Sequence, residues 1–186
     1  MVEKYQIYAF IPITFLLLVF SWRSLAKPRS HGFYRFFAWE FMAALLLLNL
    51  KFWFRDPFSW HQVLSWALLL ASIVQLLFGV HSLITRGKAT RKRAGEPDLL
   101  AFDKTTQLVT TGIFKYIRHP MYCSLLLLNW GAFFKSPTWV AMLLAALAAL
   151  CLFLTAQADE NECVYYFGEK YHIYMRLTKR FIPFLF

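Results

Sequence analysis

His119 stands directly before Pro120, and Tyr122 follows within one helical turn. Arg118 adds a fixed cation beside it, and the acid pair Asp159-Glu160 lies further along the chain. A histidine titrates near neutral pH. With carboxylates it can take up a proton or orient a cationic ligand. Pro120 suits the first position of a helix, where its missing N–H costs nothing. His119 is then expected at the helix entrance, beside unpaired N–H groups and the positive end of the dipole. An acid pair near a helix C-terminus opposes the dipole and so does not serve helix stability. The alternative for the acids is a solvated helix extension with snorkelling charges.

Two apolar runs must position these groups. Pro120 to Phe134 is short, and the turn signal Lys135-Ser136-Pro137 follows at once. Ser136 to Ala158 then gives 23 uncharged residues. Together they predict a tight helical hairpin with its tip near Ser136. Counting 16 residues from Ser136 reaches Pro120 in one arm and Leu152 in the other. Glu160 lies about 12 Å further along the helix axis. The hairpin therefore returns the acids to the side of His119. This places Arg118, His119, Tyr122, Asp159 and Glu160 in one cluster, with Asp159, Glu160 and His119 all open as proton acceptors.

The rest of the chain explains the hairpin's setting. Of the 186 residues 59% are apolar and 16% charged, and mean hydropathy is +0.47. So small a core could not hide that much apolar surface, which excludes a soluble globule and a disordered chain. A net charge of +10 without a polar face to carry it argues against nucleic-acid binding. Further apolar runs cover Tyr5 to Trp22, Phe36 to Phe54, and Val63 to Ile84 within the uncharged stretch Pro57 to Thr85. A spanning helix needs about 20 residues. The expectation is an all-α membrane bundle of five transmembrane helices. Glu40 sits inside the second run, where a carboxylate either contacts substrate or pairs with a base. Cys123, Cys151 and Cys163 have no metal-like spacing. They read as small buried hydrophobes, and no metal site is expected.

Charge sets the expected orientation. Residues 23–35, 86–118 and 159–186 hold 16 of the 20 Lys and Arg. The opposite side holds Lys4, Lys51, Arg55 and Lys135. The basic segments are expected in the cytoplasm, with the N-terminus outside and the C-terminus inside. Positive charge follows the first apolar run rather than preceding it, so that run reads as a retained helix, not a signal peptide. Arg86, Lys88, Arg91, Lys92 and Arg93 could also attract anionic lipid headgroups.

Gly112 to Tyr122, preceded by Leu108-Val109-Thr110-Thr111, resembles the core motif of the isoprenylcysteine carboxyl methyltransferase and phospholipid methyltransferase superfamily. Asp159-Glu160 through Phe167-Gly168, Tyr171, Tyr174, Arg180 and Pro183 is similar to that superfamily's C-terminal motif. The two blocks occur in order, flank the hairpin, and extend the resemblance over about residues 78–186. It implies a small helical membrane enzyme that takes S-adenosylmethionine from the cytosol and releases S-adenosylhomocysteine. The chain has no Gly-rich phosphate motif of the Rossmann kind.

By matching positions, the resemblance implies cofactor contacts from Thr106, Gln107, Leu108, Val109, Phe114, His119, Pro120, Met121, Tyr122, Asp159 and Glu160. Tyr171, Tyr174, Arg180 and Pro183 would fold the tail back as a lid, the alternative being interfacial anchoring. In the isoprenylcysteine enzymes an Arg on the substrate side precedes the acid pair by four residues. This chain has Thr155 there, so a prenylcysteine carboxylate lacks an obvious ionic partner. The acceptor stays open among amine, thiol and carboxylate on a lipid or lipid-like molecule. Residues 1–85 are expected as scaffold and lipid access, and 86–186 as the methyltransferase core. A bacterial inner membrane or an ER-type membrane would both suit. Two rivals remain. Asp159-Glu160-x-x-Cys163 and the Tyr-rich tail also look like sterol reductases that bind NADPH, and a non-enzymatic membrane subunit would leave the motifs unused.

Overall fold

The computed structural model describes residues 4–87 and 107–182. Thr106, Pro183 and the basic residues Lys88, Arg91, Lys92 and Arg93 lie outside the described residues. Within them the chain forms α1 (Lys4–Leu25), α2 (His31–Asn49), α3 (Trp60–Arg86), α4 (Pro120–Phe133), α5 (Trp139–Phe167) and α6 (Glu169–Leu177). Short 3-10 turns cover Leu50–Phe52 and Gly112–Lys115.

Local chemistry sets the helix ends. Ser30 accepts the Phe33 N–H at 3.1 Å and starts α2. Pro120 opens α4 after His119, as the sequence predicts. Thr138 accepts the Ala141 N–H at 3.2 Å and opens α5 after the Lys135-Ser136-Pro137 turn. Gly168 ends α5 with φ +59° and ψ −139°, a conformation close to glycine's own territory. The chain turns there into α6.

Among the described residues, four helical stretches are long and apolar enough to cross a membrane: Lys4–Leu25, His31–Phe52, Trp60–Arg86 and Trp139–Phe167. The expected fifth span is α4, which has 14 residues and is about 21 Å long. It is the short arm of the hairpin. The long arm, α5, has 29 residues and continues past the apolar run through the acids.

Helix α5 packs along α2 through a stripe of alanines. Ala141, Ala145 and Ala148 are fully buried with Leu45, and Leu152 completes the contact near Ala38 and Met42. Small residues let membrane helices approach closely, because lipid offers no hydrophobic drive between them. On the other side α4 meets α3. A Cβ on Gly131 would lie 2.9 Å from Leu69, and Ser65 donates to the Gly131 carbonyl at 2.7 Å. Helix α1 lies against α2 and leaves Tyr8, Ile11, Phe15, Val19 and Trp22 exposed, a face suited to acyl chains.

Several polar side chains within the apolar helices find backbone or side-chain partners. Asn49 donates to the Ala132 carbonyl at 2.8 Å and Asn129 to the Ala145 carbonyl at 2.9 Å. Lys135, expected among the charges on the opposite side, is 1% exposed. Its ammonium donates to Gln62 Oε1 at 3.0 Å and sits 3.6 Å from the Trp66 ring centre, a cation–π contact that locks the hairpin tip.

Candidate active site

The helix entrance at His119 is held from three sides. Its Nε2 lies 3.2 Å from Glu160 Oε1 and its Nδ1 lies 3.6 Å from Asp159 Oδ2. The Tyr122 ring stacks on the imidazole at 5.4 Å between centres. The hairpin does return both acids to His119, so the cluster expected from helix arithmetic is assembled.

The two acids face different ways. Successive helix residues are about 100° apart, and only one of the pair can point along a given direction. Asp159 lines a cavity at the hairpin mouth, whereas Glu160 does not. Glu160 is buried and surrounded by cations. Arg118 Nε donates to it at 2.8 Å, and Arg180 donates through Nε at 3.1 Å and Nη2 at 2.5 Å. Removing a buried carboxylate from water is costly, and this pairing offsets the cost.

Glu160 thereby fastens the tail to the hairpin. Arg118 also donates to the carbonyls of Met175 and Thr178. Its backbone N–H donates to the Lys179 carbonyl at 2.8 Å, and that of His119 to the Arg180 carbonyl at 3.2 Å. A parallel bridge joins Ile117 and Lys179. The Phe181 ring lies 6.2 Å from His119. From α6, Tyr174 donates its hydroxyl to the Phe114 carbonyl at 2.7 Å. The expected folding back of the tail is therefore present as a strap across the α4 entrance.

Leu108, Val109, Phe114, Pro120 and Met121 also line the cavity, together with Arg118, His119 and Tyr122. Tyr171 and Tyr174 close it from α6, and both are buried. Burial pushes the Tyr171 phenol far above its ordinary pKa, and Cys163, Asp159 and Glu160 push the same way. Burial likewise raises Tyr174. Both phenols therefore stay protonated and serve as donors, not bases.

Other expected site residues stand elsewhere. Gln107 is exposed and lies outside the cavity lining. Thr155 is fully buried and donates to the Cys151 carbonyl at 2.7 Å within its own helix, also outside the lining. Glu40 faces α1, where Oε2 accepts the Thr14 hydroxyl at 2.8 Å, and it too is outside the lining.

Leu83 lines the cavity without having been singled out in the sequence, and Cys163 and Phe167, named there only as parts of larger motifs, line it too. Cys163 and Phe167 follow Asp159 at helical intervals of four, a spacing that could have found them. His31 was missed altogether. It lies at the start of α2, with Nδ1 at 2.5 Å from Glu162 Oε2. No local pattern links residues so far apart in the chain.

A family model described as phospholipid methyltransferase matches residues 76–170. That stretch runs from the last part of α3 to the start of α6 and contains most of the cavity wall. No curated protein and no solved structure matches the chain.

Proposed function

This chain belongs to the phospholipid methyltransferase family, and on that premise we propose that it moves a methyl group from S-adenosylmethionine to the amine of a phospholipid headgroup. The observation that carries the reading is the cavity at the hairpin mouth. Its walls come mainly from the two sequence blocks that flank the hairpin, and they bring aromatic, apolar and ionisable side chains to one place. The lining suits the cofactor's parts. Phe114, Tyr122 and Phe167 offer aromatic faces to an adenine, and Met121 and Leu83 offer apolar contact.

The cofactor supplies an electrophilic methyl on a sulfonium. The protein's own tasks are alignment and exclusion of water. The strap from Thr178 to Phe181 covers the α4 entrance, and Glu160 holds it through Arg118 and Arg180. Glu160 is a positioning residue in this reading. His119 is kept in place by both acids and by Tyr122, and it and Asp159 are the groups available to a proton at the cavity. An amine acceptor needs no fixed cation beside it, which fits the Thr155 position. The basic segments support a mouth that opens to the cytoplasm.

The test is cofactor binding in detergent. A ligand that binds only the folded state raises its stability. S-adenosylhomocysteine should raise Tm by several degrees at about 100 times its Kd, since that excess adds about 2.7 kcal/mol. NADPH should leave Tm unchanged. A shift with NADPH and none with S-adenosylhomocysteine would replace the methyltransferase reading with the reductase one.

A further inference from the structure

Behind the cavity wall lies a polar group that the mechanism above does not use. His31 is 2% exposed. Its backbone N–H donates to Glu162 Oε1 at 3.1 Å, and its Nδ1 meets Glu162 Oε2 at 2.5 Å. Asp159 stands one helical turn before Glu162 on α5. One ligand-type atom from each of His31, Asp159 and Glu162 lies within 4.8 Å of the others. Asp159 lines the cavity, whereas the Glu162 side chain is 29% exposed. Two carboxylates thus lead from the cavity toward the surface, and a buried histidine grips the outer one at both oxygens.

We propose that Asp159 and Glu162, with His31 as the positioning residue, carry away the proton released when a lipid amine is methylated. This rests on the methyltransferase reading above. The ammonium N–H bond breaks and its proton passes to the Asp159 carboxylate. The freed nitrogen lone pair forms the N–C bond, while the sulfonium C–S bond breaks and its electron pair stays on sulfur. Asp159 returns to the carboxylate by passing the proton to Glu162, over a distance that one water molecule spans. Glu162 releases it at the surface. The charged and titratable groups around this path are Arg35 on α2, Cys163 on α5, His119 at the α4 entrance and Tyr171 on α6. Glu160 is turned away and held by Arg118 and Arg180.

The experiment uses the full chain in phosphatidylethanolamine vesicles with methyl-labelled S-adenosylmethionine, from about pH 6 to about pH 10. Wild type is compared with His31→Gln, Glu162→Gln and Glu162→Asp. The two Gln variants should transfer about tenfold more slowly near neutral pH, a modest share of what proton transfer contributes. The gap should close near pH 10, where a primary amine sheds its own proton. Glu162→Asp, which keeps the carboxylate, should recover most of the rate. All three should keep the Tm shift with S-adenosylhomocysteine. An equal loss at every pH, no loss at all, or loss of that Tm shift overturns the relay. Wild type that binds S-adenosylhomocysteine but leaves the lipid amine unmethylated overturns the relay and the amine acceptor together. Wild type that does not bind it overturns the methyltransferase reading itself.

Discussion

Adjacent carboxylates on one helix have been given separate work. Asp159 borders the cavity, and Glu160 is enclosed by Arg118, His119 and Arg180. Glu160→Gln would leave two guanidinium groups facing a neutral amide. Breaking a buried ion pair from one side costs about 3–5 kcal/mol, so the variant should melt well below wild type in detergent and lose tail protection in limited proteolysis. Asp159→Asn keeps the strap's ion pairs intact and should melt within a few degrees of wild type. Equal destabilisation by both would contradict this division. The sequence made the cluster legible, because the hairpin has a turn signal and two uncharged arms of countable length. It did not disclose which acid meets the cavity. That depends on the rotation of α5 about its axis, and the nearly uniform apolar surface of Trp139 to Leu154 does not encode it.

At the scale of elements, two glycines show what holds the hairpin against its neighbours. Gly131 lets α4 approach α3 where Leu69 leaves no room for a Cβ. Gly131→Ala should destabilise by about 1–3 kcal/mol through overpacking, visible as a lower Tm. Gly168 has open space around its Cβ position but needs a positive φ. Gly168→Ala should therefore act through backbone strain alone, at about 1–3 kcal/mol. Because it sets the direction of α6, it should also weaken S-adenosylhomocysteine binding. The apolar runs, Pro120 and the turn signal Lys135-Ser136-Pro137 made α1 to α5 readable, whereas α6 was not. The strap was not readable as backbone pairing, since Arg118, Lys179 and Arg180 belong to no strand pattern. His31 and Glu162 meet only because α2 packs along α5, which the alanine stripe permits and no short motif announces.

Across the whole molecule, the basic residues predict orientation. A C-terminal reporter that is active only in the cytoplasm should be active on the full chain, and one active only outside should be silent. The reverse result would move the hairpin mouth to the other face. The hydropathy of the sequence announced a bundle. It also announced the short arm, since the run Pro120 to Phe134 forms the 14-residue α4, but it set Lys135 among the charges of the opposite side. That lysine is instead drawn inward, against Trp66 and Gln62.

The brevity of α4 has a consequence for where soluble and oily reactants meet. Were the end beside Trp53 and Trp66 set at one edge of a hydrocarbon layer about 30 Å thick, a rod of about 21 Å would stop about 9 Å short of the other edge. His119 would then lie at the floor of a shallow well sunk into one leaflet. A water-borne donor would descend into that well, while a lipid would reach it sideways without lifting its tails from the bilayer. The depth of the well is the mismatch between helix and membrane, so a thicker membrane would deepen it and a thinner one would bring its floor to the surface.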